Sequence, residues 1–436
     1  MDKKSNLYAM DFIDGDHLEV MQLERMKKII RHAFNNVEFY RNRMRKYNLT
    51  PDSIKTLDDV SKLPFMVKQD LRDTYPFGLL AVPQSEVVRL HASSGTTGKP
   101  IVVAYTKEDL KVWTEVVHRA MANCGLSNSD IVQVSYGYGL FTGGLGAQYG
   151  AEDLGATVVP TSGGNTRRQI MLMRDFGVNA ICCTPSYFIH LIDEAAKTGI
   201  DLRELPIRAG IFGAEPWTAG MRKYVEENAG IEAFDIYGLS EIIGPGVAIE
   251  CPCHSGLHIY EDHFYPEIID PDTGKVLPDG EFGELVLTTL SKYAMPMIRY
   301  RTRDLTRIIP GRCACGRTIR RIDRISSRSD DMFIIRGVNV FPSQIEAALL
   351  NVQGTTPNYM ITLSNEKGMD NVSVEVELSQ EKFNELGDNQ ESFRRQVSAM
   401  VESVTGIRMA LTLAAPGSIP RSEGKAKRVI DNRVRN

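Results

Sequence analysis

From Val87 onward, short runs of apolar and β-branched residues alternate with longer stretches of helical periodicity, and few architectures accommodate that alternation. Residues 101–105, 131–134, 157–160, 180–183 and 209–212 have the length and composition of buried strands. Between them, 106–124 and 166–176 repeat apolar side chains at helical spacing. Strands alternating with helices build an α/β layered domain around largely parallel sheets. Ahead of it, Met21, Leu23, Met26, Ile29, Ile30 and Phe34 recur with a period of about 3.6 between residues 18 and 47. That spacing predicts one amphipathic helix with a core-facing side.

The pattern changes twice further on. Extended runs rich in Val, Leu and Thr over 281–290, followed by Arg-rich strands, predict a small β-subdomain. After an acidic break near Asp330 come Phe333-Ile334-Ile335-Arg336-Gly337, a helix over 342–350 and more strands. The expected division is a large N-terminal domain of layered α/β subdomains, 1–329, and a smaller C-terminal α+β domain, 330–436.

At 436 residues the chain exceeds one ordinary domain, and 42% hydrophobic with 24% charged residues suits a water-soluble globular protein. A net charge of −4 gives no reason to expect nucleic acid as a partner. The basic stretch 421–435 is by itself a solvated terminus. Asp2, Lys3 and Lys4 precede no apolar stretch, so no export signal is expected. No run approaches the roughly 18 apolar residues of a membrane span. Seven cysteines, several adjacent or in Cys-x-Cys pairs, make a poor disulfide framework. They read better as thiols or metal ligands in the cytoplasm.

The most informative stretch is His91-Ala92-Ser93-Ser94-Gly95-Thr96-Thr97-Gly98-Lys99-Pro100. Two glycines let several N–H groups converge, four hydroxyls stand among them, and Lys99 adds a cation, a combination that suits polyphosphate oxygens. It is not a Walker A loop, because Pro100 follows Lys99 where Ser or Thr should stand, and a strand follows rather than a helix. Taken alone, the stretch is equally a Ser/Thr/Gly turn.

Further motifs follow in order: Leu63-Pro64-Phe65 in the leader, Tyr136-Gly137-Tyr138-Gly139-Leu140-Phe141-Thr142-Gly143-Gly144, Gly213-Ala214-Glu215-Pro216, and Tyr237-Gly238-Leu239-Ser240-Glu241. Then come Gly256-Leu257-His258, Glu261-Asp262-His263-Phe264, Arg301-Thr302-Arg303-Asp304, Ser329-Asp330-Asp331, 336–342 and Pro420-Arg421-Ser422-Glu423-Gly424-Lys425. With them, almost from end to end, the chain resembles the adenylate-forming (acyl-CoA synthetase) enzyme superfamily, and within it the phenylacetate–CoA ligase branch.

The resemblance implies an ATP-dependent ligase that turns a carboxylic acid into an acyl-adenylate and then passes the acyl group to coenzyme A. Such chemistry needs cations and fixed N–H donors more than a nucleophilic side chain, because charge builds on phosphoryl oxygens. By the resemblance, Ser93, Ser94, Gly95, Thr96, Thr97, Gly98 and Lys99 hold phosphates. Tyr237 with Gly238 stacks beside adenine, Asp235 is counted with these nucleotide-binding positions, and Glu241 holds Mg²⁺. Gly213, Ala214, Glu215 and Pro216 line the adenine and acyl pockets, although the segment is equally an ordinary turn after a buried strand. Asp304 binds the ribose hydroxyls. It follows Arg303 where the wider superfamily has glycine. Arg328 lies near the ribose or phosphates, with Ser327 at another position where glycine is usual. Lys425 reaches the α-phosphate, and without the resemblance it would be one more solvated tail residue. Asp330 is the hinge of a C-terminal lid that swings between two poses, and Arg336 and Gly337 face the site in the second.

Tyr136, Phe141 and Gly143, with Tyr138, Gly144, Gly146 and Ala214, suggest an aromatic wall with room left by missing side chains, fit for an aryl or arylacetic acid. Plain core packing explains the same cluster.

A second constellation stands apart. Cys251 and Cys253, His254 and His258 precede Cys313 and Cys315 by about sixty residues. Cysteine pairs with intervening histidines satisfy tetrahedral Zn²⁺, with Cys251, His258, Cys313 and Cys315 as the expected set. Cys253 or His254 is the substitute, and reduced thiols on adjacent loops are the plainer alternative.

The expectation is therefore a small-molecule ligase using a carboxylic acid, ATP, Mg²⁺ and coenzyme A, with structural Zn²⁺ and a homodimer as the expected assembly. Two other classes compete: an adenylating enzyme that loads a carrier protein, and a nucleotide-binding regulatory protein without catalysis. Intact Glu241, Asp304 and Lys425 argue against the latter.

Overall fold

The structure is a computed structural model that describes residues 9–92, 100–325, 327–335, 338–366, 369–422 and 424–433. The periodic leader is two helices rather than one. α1 (Gly15–Asn36) and α2 (Glu38–Lys46) separate at Val37, whose extended backbone (φ −118°, ψ 116°) turns the chain out of the helix. Met26, Ile29, Ile30 and Ala33 are buried, so the apolar spacing does mark the core-facing side.

After the short α3 (Lys68–Asp73), β1 (Arg89–Ala92) and β2 (Val102–Tyr105) form an antiparallel hairpin whose connection carries positions 93–99. α4 (Lys107–Asn123) begins at a reciprocal cap: Thr106 N donates to Asp109 Oδ2 at 2.8 Å and Asp109 N to Thr106 Oγ1 at 3.1 Å. The alternation then runs β3 (Ile131–Val134), α5 (Gly143–Asp153), β4 (Thr157–Val159), α6 (Thr166–Asp175), β5 (Ala180–Cys183) and α7 (Pro185–Lys197). It closes with β6 (Ala209–Gly213), α8 (Ala219–Ala229) and β7 (Glu232–Leu239). Strands follow alone: β8 (Gly244–Glu250), β9 (Leu257–Ile259), β10 (Phe264–Ile269), β11 (Gly283–Thr289), β12 (Tyr300–Thr306), β13 (Ile308–Ile309), β14 (Arg321–Ile322) and β15 (Ser327–Arg328).

Among the described residues the central sheet has the order β13-β14-β9-β8-β7-β6-β5-β3-β4. From β4 to β7 its pairs are parallel, and from β7 to β13 antiparallel. The expectation of largely parallel sheets thus describes one half of it. Every residue of β5 and β6 is buried, which is why they read as unbroken apolar runs: a parallel strand is covered on both faces. The small β-subdomain is the antiparallel sheet β10-β11-β12-β15, where β12 alternates buried and half-buried positions.

The C-terminal part opens with the hairpin β16 (Phe333–Ile335) and β17 (Val338–Val340), then α9 (Pro342–Leu350), β18 (Thr355–Glu366) and β19 (Met369–Leu378). α10 (Gln380–Leu386), α11 (Glu391–Thr405), β20 (Ala410–Ala414) and β21 (Val429–Asp431) complete it, with sheet order β20-β19-β18-β21. Ile345, Leu349, Ile361, Val374, Val397 and Val401 belong to a core of its own, separate from the two cores of the larger part. An independent core is what a separately moving unit requires. No described helix is long and apolar enough to cross a membrane.

Candidate active site

A cleft of about 1180 Å³ lies between the two parts. Of the residues singled out by sequence, Glu215, Pro216, Arg328, Asp330 and Lys425 line it. The expected phosphate-binding residues 93–99 and the pair Arg336 and Gly337 lie outside the described residues.

Behind Arg328 on one wall, strand register assembles a three-residue cluster. β15 pairs with β12 so that Arg328 stands opposite Asp304, and Tyr237 reaches Asp304 from β7. Tyr237 Oη donates to Asp304 Oδ2 at 2.6 Å, and Arg328 Nη1 donates to Oδ1 at 2.8 Å. Each carboxylate oxygen thus accepts one protein hydrogen bond and keeps a further lone pair. Burial raises the Asp304 pKa, and the Arg328 guanidinium opposes that rise. Arg303 sits at φ +70°, in the left-handed region that glycine adopts without strain. The departure from the superfamily pattern therefore keeps the glycine-like backbone. Arg328 also donates to Asp330, at 2.9 and 3.1 Å, tying the wall to the expected hinge.

Glu241 is buried and faces three groups that no motif announced. Tyr300 Oη donates to Oε1 at 3.3 Å, Lys68 Nζ lies 3.7 Å from the same oxygen, and Lys292 Nζ donates to the Glu241 carbonyl at 2.9 Å. Lys68 also lines the cleft, so Glu241 offers a carboxylate, a hard-cation ligand, beside it. Burial brings the Lys292 pKa down to about 8.

Lys425 is framed on both sides by the larger part. Thr184, the side-chain cap of α7, donates its hydroxyl to the Gly424 carbonyl at 3.1 Å. Glu215 accepts from Ser186 N at 2.8 Å and from Ala426 N at 2.9 Å. Arg428 reaches back to Ser186 Oγ at 3.1 Å, and Arg421 bridges Asp193 at 3.0 Å and Glu377 at 2.7 Å. The Glu215 carboxylate is thus engaged in docking the C-terminal part. Its neighbour Gly213 permits close strand packing, since a Cβ there would lie 2.2 Å from the Ile236 carbonyl oxygen. Thr184 and Ser186 carried no sequence signal beyond a helix start, because their partners lie some 240 residues away.

Other expected positions stand differently. Asp235 is buried beside Glu250, and burial raises its pKa. Its carboxylate lies 3.6 Å from Arg324, a cleft residue, but Asp235 itself is not in the lining. Nor are Tyr136, Phe141, Gly143, Gly213, Ala214, Tyr237, Gly238, Glu241 and Asp304, the last reaching the cleft only through Arg328. An added Cβ would lie 2.6 Å from the Phe141 ring at Gly143, 2.9 Å from the Gly137 carbonyl at Gly144 and 2.6 Å from the Trp113 ring at Gly146. Glycine at these positions lets α5 pack closely against its neighbours.

The four expected metal ligands do come together. One donor atom from each of Cys251, His258, Cys313 and Cys315 lies within 4.8 Å of all the others. Cys251 Sγ and Cys313 Sγ are 3.7 Å apart, and Cys315 Sγ is 3.4 Å from His258 Nε2. A tetrahedral ion with metal–sulfur bonds of about 2.3 Å has sulfur–sulfur edges of about 3.8 Å, so the set fits Zn²⁺. His258 Nδ1 faces the Ile319 carbonyl at 3.4 Å, which orients the ring. The two substitutes are elsewhere. Cys253 is exposed, and His254 is engaged by Glu232 at 3.2 Å and by Arg222.

Comparison with known proteins gives the family. The AMP-binding enzyme family matches residues 47–291, and the AMP-binding enzyme C-terminal domain matches 337–433. A phenylacetate–coenzyme A ligase of Pseudomonas putida is 53% identical, covering 98% of this chain and 97% of its own. One from Escherichia coli (strain K12) is 51% identical, covering 96% and 95%. A 2-hydroxyisobutyryl-CoA ligase in the postadenylation state, with 2-HIB-AMP, superposes with a TM-score of 0.92 at 30% identity, over 97% of this chain and 91% of that one. In the thioesterification state with coenzyme A, the same ligase scores 0.72 at 31% identity, over 98% and 92%.

Proposed function

The chain belongs to the AMP-binding, adenylate-forming enzymes, and from that premise we propose that it joins an aryl or arylacetic acid, phenylacetate first among them, to coenzyme A. It is an ATP-dependent, AMP-forming acid–CoA ligase that works through an acyl-adenylate. The observation that supports the assignment of residues is the cleft lined by both Lys425 of the C-terminal part and Arg328, which in turn holds the buried Asp304 beside Tyr237.

In this reading Tyr237 flanks the purine, and Asp304 uses its remaining lone pairs on the ribose hydroxyls while the Arg328 guanidinium opposes the rise that burial imposes on its pKa. Lys425, held by Glu215 and Thr184 through its neighbours, brings its ammonium to the α-phosphoryl oxygens, where negative charge builds during attack by the acid. Residues 93–99 supply N–H and hydroxyl donors to the outgoing pyrophosphate. Glu241 is the carboxylate for Mg²⁺, which when bound neutralises phosphate charge. Asp330 is the hinge between domains 1–329 and 330–436. The cysteine–histidine set would hold structural Zn²⁺ well apart from the chemistry, stitching β9 to the loop before β14. The choice of an aromatic acid rests on the near-complete match to the phenylacetate–coenzyme A ligases.

Pyrophosphate release measured over a panel of acids, with and without coenzyme A, tests this. Phenylacetate should be strongly preferred, and thioester should form only with coenzyme A present. If palmitate serves as well as phenylacetate the aromatic specificity is wrong, and if no acid promotes pyrophosphate release the ligase reading fails.

A further inference from the structure

Lys292 is a buried charged residue that the proposed reaction does not use. It lies in the stretch that leaves β11, and the backbone is pinned on either side of it. Leu290 N donates to the His263 carbonyl at 2.8 Å. Tyr293 N and Ala294 N donate to the two carboxylate oxygens of Asp109, at 2.6 and 3.0 Å, and the Ala294 carbonyl accepts from Ala81 N at 2.9 Å. With its neighbours fixed in this way, the Lys292 side chain runs into the core, where Nζ donates to the Glu241 carbonyl at 2.9 Å.

What it meets is the turn that carries Glu241. The chain leaves β7 at Leu239 and enters β8 at Gly244, and Ile242 N and Ile243 N both donate to the Leu239 carbonyl, at 3.1 and 3.2 Å. Two further carbonyls of the turn are held by side chains. That of Glu241 takes Lys292, and that of Ile243 accepts from Tyr105 Oη at 3.0 Å. Lys292 Nζ also lies 5.1 Å over the Tyr105 ring, so the two residues form one clamp on the turn. The Glu241 carboxylate has other neighbours: Oε1 accepts from Tyr300 Oη at 3.3 Å and lies 3.7 Å from Nζ of Lys68, a cleft residue. An oxygen that already has an ammonium on its cleft side suits a hard cation there. Taking Lys292 away would leave the Glu241 carbonyl a buried acceptor without its donor, a cost relieved only if the turn twists and carries the carboxylate with it.

We propose that Lys292 is a positioning residue for Glu241, holding the turn by its carbonyl so that the carboxylate keeps its bearing on the divalent cation of the nucleotide. The inference rests on the reading of Glu241 as the carboxylate for Mg²⁺. Lys292 acts from behind the turn, on the direction of a ligand and not on the nucleotide. Two influences of opposite sign meet here. The Lys292 ammonium is a like charge to a cation at Glu241 and by itself would weaken its binding. The hydrogen bond, by fixing the carboxylate, strengthens it. Among the described residues the ion pair of that carboxylate is with Lys68 and not with Lys292, so the hydrogen bond is the larger effect. Removing Lys292 therefore loosens the cation, where a purely electrostatic role would tighten it.

Calorimetric titration of the full chain with ATP, without acid or coenzyme A, tests this in Mg²⁺ and again in EDTA. The variants are Lys292→Met, which keeps the length of the side chain but not the donor, Glu241→Gln, and the two combined. Lys292→Met should lose about tenfold of the affinity that Mg²⁺ adds, the worth of one unmade buried hydrogen bond, with ATP affinity in EDTA unchanged. In the Glu241→Gln background the same substitution should change nothing further, because both act through one carboxylate. Tyr105→Phe removes only the hydroxyl under Ile243 and should give the same signature more weakly, which keeps the test open if Lys292→Met does not fold. A Mg²⁺ gain that is unchanged or larger in Lys292→Met and Tyr105→Phe overturns the proposal. So does a loss that is equal in EDTA, or one that persists in full beside Glu241→Gln. If the wild type shows no Mg²⁺ gain, or Glu241→Gln keeps all of it, the reading of Glu241 itself is wrong and the inference falls with it.

Discussion

Lys292 is almost completely buried, and among the described residues its ammonium meets the Glu241 carbonyl and, at 5.1 Å, the face of Tyr105. Burial lowers its pKa from 10.5 to about 8. Between those values the unfolded chain holds a proton that the folded chain has released, so Lys292 makes stability rise with pH across that window. Lys292→Met removes the dependence. In melts at about pH 7.5 and about pH 9.5, the difference between wild type and variant should move in the wild type's favour at the higher pH. A difference independent of pH would refute the buried, proton-releasing lysine. Nothing in the residue order announced it, since Lys292 follows an ordinary strand and becomes special only when β2, β11 and the Glu241 turn converge. Arg303 is the opposite case. Its place before Asp304 flagged the backbone, and the left-handed φ of +70° is there.

Among the elements, the cysteine knuckles were the most legible and α5 the least. Cys313-x-Cys315 closes as a tight turn, with Gly316 N donating to the Cys313 carbonyl at 3.0 Å and Gly316 at φ +88°. Type and spacing alone nominated the four ligands. The choice between Cys251 and Cys253, or His258 and His254, needed strand β9, which points His258 inward while His254 turns to Glu232. The purified protein should carry one zinc per chain, lost on unfolding. Cys313→Ser should lower the melting temperature by several degrees while changing turnover less than about twofold, because a structural ion contributes to folding rather than chemistry. Metal below half an equivalent with activity intact would defeat the assignment. In α5 the glycines had two readings by sequence, ligand space or packing, and a Cβ there would meet Trp113 and the preceding loop.

For the whole molecule, the structure superposes better on the relative in its postadenylation state, with a TM-score of 0.92, than on the same relative in its thioesterification state, with 0.72. The segment around Lys425 is docked on the larger part through Thr184–Gly424 and Glu215–Ala426, contacts that must break if the C-terminal part rotates. Lys425→Ala should slow acyl-adenylate formation on the order of a hundred- to a thousand-fold while sparing thioester formation from supplied acyl-adenylate. Glu215→Ala should show the same direction more weakly, since it acts through Lys425. Asp330→Pro should reverse the pattern by stiffening the hinge. Rates of both half-reactions in all three variants check this, and equal losses in both steps for Lys425→Ala would refute the alternation. What the sequence by itself determined was local or periodic: the strand–helix order, the separate C-terminal unit, the motif residues and the cysteine set, each readable within a few dozen residues. The tertiary structure alone decided the Tyr237–Asp304–Arg328 cluster, the docking of Lys425 by Glu215 and Thr184, the lysines around Glu241 and the neighbours against which the α5 glycines pack. Those depend on contacts between positions tens to hundreds of residues apart, and distance in space is a property that neither composition nor periodicity encodes.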